Sequence, residues 1–176
     1  MTSIYCFAPI ESDNARMLIL GSMPGKESLR LGQYYAHPRN SFWPIIGQII
    51  GIPQQTPYEL RTKMLKTAGI ALWDVLASCR RVSSLDSDID SSTIHPNDFV
   101  AFFLAHPHID QVFFNGAMAE QCYRKQVLPT VEALPIRYLR LPSTSPAHAA
   151  LPYDRKLEIW RSAIEENRAS PRQTEY

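Results

Sequence analysis

Apolar positions along the chain alternate between two patterns. Short apolar-rich stretches cover residues 16–20, 70–75, 109–114 and 136–141, the length of strands. The first is apolar nearly throughout, as in a strand covered on both faces, and in the last the apolar residues alternate with Arg137 and Arg140. Between them lie stretches in which apolar residues recur every three or four positions, predicting helices over residues 41–50, 96–105, 117–127 and 152–166. A further helix starts at Thr56-Pro57, with Leu60, Met64 and Leu65 on one face and Gly69 just past its end. In the 41–50 helix, Phe42, Ile45, Ile46, Ile49 and Ile50 share the helical spacing, Asn40 or Ser41 is the cap, and Gly51 is the stop. Residues 4–8 form a short apolar stretch ended by Pro9, an edge strand or an extended arm. Residues 80–93, rich in Ser and Asp, are expected to be a long loop.

Strands and helices in alternation predict an α/β three-layer sandwich, with a mostly parallel central sheet of about four strands and helices on both faces. One domain is expected over residues 1–176, with its core at about 16–166 and a polar tail at 167–176. In such sheets ligands sit beyond the carboxyl ends of the strands. Four loops meet there: the one from Gly21, the one from Asp74, Asn115-Gly116, and the one from Ser143.

The first of these loops, Gly21 to Trp43, is far longer than the roughly 4–6 residues usual between elements and carries too many aromatics for a disordered linker. Gly21 and Gly25 flank Ser22, Met23 and Pro24 at the strand exit, where glycine permits close backbone approach; a plain tight turn explains them equally well. The pattern matches neither a dinucleotide nor a P-loop fingerprint. Asn115-Gly116 taken alone reads as a turn, although an asparagine at a strand end can address a planar amide or base edge. The prolines around Ser143, Thr144 and Ser145 suggest a stiffened loop suited to phosphate contacts. Asp74 reads as a cap or structural acceptor before a catalytic carboxylate, and residues 83–86 read as structural. His95, His106 and His108 read as surface residues without metal-ligand spacing.

Composition narrows the classes further. Hydrophobic residues make up 45% of the 176 and charged residues 20%, an ordinary globular mixture. A net charge of +1 means that any nucleic-acid contact rests on a local patch. The three cysteines are far apart, so neither a zinc site nor a disulfide framework is expected. No signal peptide or membrane span is recognisable, and a cytoplasmic location with no membrane partner is expected.

The block from Gly-Ser-Met-Pro-Gly through Gln33-Tyr-Tyr-Ala-His-Pro-Arg-Asn-Ser-Phe-Trp43 closely resembles the first motif region of the hypoxanthine (deoxyinosine) DNA glycosylases, a branch of the uracil-DNA glycosylase superfamily. Trp73-Asp74-Val75, Ser84-Leu85-Asp86, Phe114-Asn115-Gly116 and Leu141-Pro-Ser-Thr-Ser-Pro-Ala147 follow in the family's order, so the resemblance runs from about residue 16 to 160. It implies a uracil-DNA glycosylase-like fold and hydrolysis of the N-glycosidic bond of deaminated bases, chiefly hypoxanthine with uracil as a further candidate, after the nucleotide is flipped out of DNA. By the same resemblance Asn40 directs the water. Asn115 reads the base, Tyr35 or Phe42 stacks on it, and Gly21, Ser22, Met23 and Pro24 line its pocket. His37, Arg39, Ser143, Thr144, Ser145 and His148 face the DNA, with the serine loop gripping phosphates and inserting into the duplex. A monomer acting on double- or single-stranded DNA is implied, with no cofactor, no metal and no lyase step.

Two positions depart from the family pattern. Much of the superfamily has a His at the position of Leu141, and this branch usually has Asn at that of His148. Two other readings stay open on these grounds: a non-catalytic nucleic-acid or nucleotide-binding module of the same fold, and a small-molecule hydrolase using Ser143 or Ser145 with His148.

Overall fold

The computed structural model describes residues 2–83 and 85–169. Its centre is a four-stranded parallel sheet in the order β3-β2-β6-β7, built from β2 (Met17–Gly21), β3 (Ile70–Asp74), β6 (Gln111–Asn115) and β7 (Arg137–Leu141). Alternation along β2 divides its side chains between two cores. Met17 and Ile19 pack on one face with α2 (Phe42–Ile50), α3 (Tyr58–Thr67) and α7 (Tyr153–Ala169). Leu18 and Leu20 pack on the other with α4 (Phe99–Ala105) and α5 (Ala117–Gln126). Because both faces are covered, the strand reads as an unbroken apolar run. The α/β sandwich expected from the sequence is the fold observed.

The chain enters the sheet at β2, adds β3 on one side, then crosses to β6 on the other. That reversal opens a crevice beyond the carboxyl ends of β2 and β6, at Gly21 and Asn115. Everything discussed below sits around it.

Three expectations change. Residues 80–93 are not a loop: β4 (Leu76–Arg81) and β5 (Ile89–Pro96) form an antiparallel pair, and β1 (Thr2–Tyr5) joins β4 to make a second, three-stranded sheet. The Ser, Thr and Asp of β5 are half-buried or exposed, so this strand had no apolar face to announce it. Inside the loop from Gly21 to Trp43 lies a short helix, α1 (Lys26–Leu31), ended by Gly32 in the left-handed region at φ 64°. Its six residues are too few to show a periodic stripe. Finally, α7 continues to Ala169, with Asn167 buried and donating to Gln111 Oε1 at 3.3 Å, while residues 170–176 of the expected tail lie outside the described residues.

His106 is also misplaced by the sequence reading. It is buried, its Nδ1 bonds to the carbonyl of Phe102 at 2.8 Å, and its Nε2 faces Glu11 at 3.1 Å. His95 and His108 are exposed, as expected. No helix among the described residues is long and apolar enough to cross a membrane.

Candidate active site

An open cleft of about 780 Å³ occupies the crevice and is lined by all four loops singled out above. Its inner wall is the turn from Gly21 to Gly25. The carbonyls of Gly21 and Ser22 accept from Val75 and Leu76 N–H at 2.8 and 3.2 Å, which carries the parallel ladder past the end of β2. Gly21 is needed for proximity. A Cβ there would lie 2.5 Å from Asp74 Oδ1 and 2.9 Å from the Tyr35 hydroxyl. Ser22 donates to Asp86 Oδ1 at 2.7 Å, and Arg81 donates to the Pro24 carbonyl. These two bonds fasten the β4–β5 hairpin to the wall. Met23 is core-packed and 7% exposed while still lining the cleft.

The opposite side is aromatic. Tyr35 stacks on Phe42 with ring centroids 4.1 Å apart and 26° between planes. Its backbone is left-handed at φ 55°, a conformation that costs a non-glycine residue and persists only where surroundings impose it. They do. Tyr34 is held beside it by hydrogen bonds from its hydroxyl to Ala8 O, from its N–H to Tyr58 Oη, and from Trp43 Nε1 to its carbonyl. Phe42 is completely buried beneath Tyr35 and lines no part of the cleft, which corrects its placement as a stacking face. The aromatic lining of the cleft comes from Tyr35 and Tyr34, the latter 5% exposed.

Asn40 lines the cleft, and its Oδ1 accepts from Phe42 N–H at 2.9 Å. That bond orients the amide and leaves both Nδ2 hydrogens and one Oδ1 lone pair uncommitted by it. Asn115 is clamped to the serine loop. Thr144 N–H donates to its Oδ1 and its Nδ2 donates to Thr144 Oγ1, both at 2.9 Å; the backbone donor fixes which end of the amide is which. One N–H and one lone pair of Asn115 remain outside the clamp. Thr144 also accepts from Ser41 N–H and Oγ through its carbonyl and is 1% exposed. It joins three loops and lines the cleft.

The remaining expected residues lie at the rim. Ser143 and Ser145 are half-buried and accept from Ser145 and Ala147 N–H, respectively, at 3.2 Å. His148 is exposed, and its backbone N–H donates to the Ser145 carbonyl at 3.0 Å. No side-chain hydrogen bond among the described residues links its ring to either serine hydroxyl, so a serine–histidine nucleophile is not assembled. His37 lines the cleft and accepts from Arg39 N–H, and Arg39 is exposed. Leu141 is in the core at 1% exposure, so nothing from that position reaches the cleft.

Asp74 is the site residue that sequence reasoning undervalued. It caps nothing with its carboxylate; it lines the cleft at 3% exposure, and Oδ2 has no hydrogen-bond partner. Burial, then the charge of Asp86, push its pKa up to about 7, against a smaller opposing effect of Arg81. Burial raises Asp86 as well and lowers Arg81. The Tyr35 hydroxyl is buried without a hydrogen bond of normal geometry, and burial holds its ionisation far above the usual tyrosine range, so it keeps its proton. A carboxyl group poised near neutrality beside an unpartnered hydroxyl is the arrangement from which acid–base work is done. The signal was available: an aspartate ending an apolar strand at the carboxyl edge of a parallel sheet. No group of three His, Cys, Asp or Glu able to hold a metal occurs among the described residues.

Comparison with known proteins places this cleft in a family context. The family model described as the uracil DNA glycosylase superfamily matches residues 8–164. A hypoxanthine DNA glycosylase of Methanosarcina acetivorans is 36% identical over 159 residues, covering 90% of this chain and 96% of the relative. Another of the same description, from Methanosarcina barkeri, is 40% identical over 111 residues, 62% of this chain and 69% of its own length. The solution NMR structure of a Methanosarcina acetivorans protein, provisionally described as a uracil DNA glycosylase, superposes with a TM-score of 0.79 at 33% identity, covering 95% of this chain and 99% of that one.

Proposed function

The chain belongs to the uracil DNA glycosylase superfamily, and we propose that within it this protein is a monofunctional DNA glycosylase that hydrolyses the N-glycosidic bond of hypoxanthine, accepting uracil as a second base. The observation that carries the reading is the 36% identity to a hypoxanthine DNA glycosylase over 90% of this chain. The cleft supports it by supplying the parts that such a reaction requires.

Asn40 directs the water. An amide cannot take a proton as a strong base, which suffices when the sugar becomes oxocarbenium-like before the water attacks. The harder task is to stabilise negative charge developing on the departing base. With Leu141 buried where relatives of the superfamily place a His, that task falls on donors at the other wall. The neutral Asp74 carboxyl, the Tyr35 hydroxyl and the Asn115 N–H that lies outside the Thr144 clamp are those donors. Binding a base excludes water and favours neutral Asp74 further. Tyr35, backed by Phe42, supplies the stacking face, and Gly21 to Pro24 form the floor. Ser143, Ser145, His148, His37 and Arg39 at the rim contact the phosphates.

The test uses labelled duplexes carrying one hypoxanthine, one uracil or no damaged base, incubated with protein and then heated in alkali. Alkali-dependent breakage at hypoxanthine, with none before alkali, is the expected result. An intact hypoxanthine strand would refute the proposal, and breakage before alkali would refute its monofunctional part.

A further inference from the structure

The cleft takes a base only after the nucleotide has left its duplex, and the gap that it leaves is commonly held open by an apolar protein side chain inserted into the stack. Such a side chain must be large, exposed and at the rim. Of the large apolar side chains exposed among the described residues, one alone lines the cleft: Leu85, at 49% exposure. It stands at the tip of the β4–β5 hairpin, close in sequence to Val82, which is 69% exposed.

The tip is braced. Asp86, the next residue, is tied to Ser22, and Arg81 at the end of β4 is tied to Pro24. Leu85 N–H donates to Ser83 Oγ at 2.9 Å, and Ser83 in turn donates to Asp88. Leu85 is therefore presented from a support attached to the cleft wall itself, so little ordering entropy is lost on insertion. The facing rim offers no equivalent: Ala147 and His148 are exposed there, the one too small to fill a base step and the other polar.

We propose that Leu85 is the wedge that enters the base stack of duplex DNA and occupies the place of the flipped nucleotide. The proposal rests on the glycosylase reading and moves the inserting role from the serine loop to the hairpin. A wedge matters only where there is a stack to open. Leu85→Ala should therefore slow single-turnover excision from a hypoxanthine duplex by about 10- to 100-fold while changing excision from a single-stranded oligonucleotide by less than about twofold. Leu85→Met should restore most of the duplex rate. Equal effects on both substrates, or none on the duplex, would overturn the proposal. A second readout is independent of catalysis. A 2-aminopurine placed beside the hypoxanthine should brighten on binding of the wild-type protein and much less with Leu85→Ala. Absence of brightening with the wild type, or equal brightening with both, would likewise overturn it. If the wild type excises nothing yet brightens the probe only when Leu85 is present, the glycosylase reading falls and the wedge stands.

Discussion

On the proposed reading, Asn40 and Asp74 divide the chemistry at the residue scale, and the two make different predictions. Asn40→Ala removes the amide proposed to direct the water and one backbone hydrogen bond at the start of α2. Single-turnover excision should fall by at least about 100-fold, while the fold loses only about 1 kcal/mol, the usual cost of losing such a cap. Thermal unfolding and stopped-time assays measure the two effects separately. Asp74 is a pH experiment. Its pKa is raised to about 7 in the folded protein, so the fold binds a proton that the unfolded chain releases near pH 4. Stability from this group is fully present below about pH 4 and is lost as the pH rises to about 7. The charged and titratable groups that face it are Asp86, Arg81, Cys6, Tyr34 and Tyr35. Excision should decline as the pH rises through about 7, because the donor is neutral Asp74. Asp74→Asn, which cannot titrate and keeps N–H donors, should flatten that decline and raise the melting temperature at pH 8. A lower melting temperature at pH 8 would mean that the carboxylate is structural. Tyr35, Asn40 and Asn115 stand out as candidates because they lie in strong motifs and the structure places all three at the cleft, whereas Asp74 stands out through its burial, which one sequence does not show.

At the scale of elements, the strand-exit turn of β2 and the clamp between β6 and the serine loop hold the site's geometry. Gly21→Ala would drive a methyl into Asp74 and Tyr35, whereas Gly25→Ala meets no heavy atom within 4 Å. The first should cost about 1–3 kcal/mol and most of the activity. Apart from modest entropic gains or losses, the second should be silent, and paired melting and excision assays check the contrast. Thr144→Val keeps the shape but leaves Asn115 Nδ2 and its neighbourhood short of an acceptor, a loss of about 1–3 kcal/mol by chemical denaturation. Three of the parallel strands, β2, β3 and β6, were readable because burial on both faces makes them apolar. The fourth, β7, is exposed along most of its length and was readable from its short stretch of Ile, Tyr and Leu around two arginines. The β4–β5 hairpin was not, since its second strand is half-buried at best, and so the element that carries Leu85, Asp86 and Arg81 into the site looked like a loop.

The whole molecule is a parallel sheet whose topology reverses between β2 and β6, and the site follows from that reversal more than from any one residue. Its net charge of +1 supplies little overall attraction for DNA, so on the proposed reading DNA contacts rest on the rim of one cleft. Affinity for an undamaged duplex should fall with salt on a shallow log–log slope, and Arg39→Ala should reduce that slope by about 1. The two-sheet architecture around the parallel core was half visible in the sequence; the alternation of elements announced the first sheet, and nothing periodic announced the second. The central claim is that this cleft hydrolyses the bond between hypoxanthine and deoxyribose. Chromatographic measurement of free base released from a single-hypoxanthine duplex tests it most directly, with wild-type protein and Asn40→Ala compared in a single turnover. The account predicts one equivalent of free hypoxanthine per alkali-labile site with the wild type and almost none with the variant. Hypoxanthine retained in the DNA by the wild type, or released equally by both proteins, would contradict it.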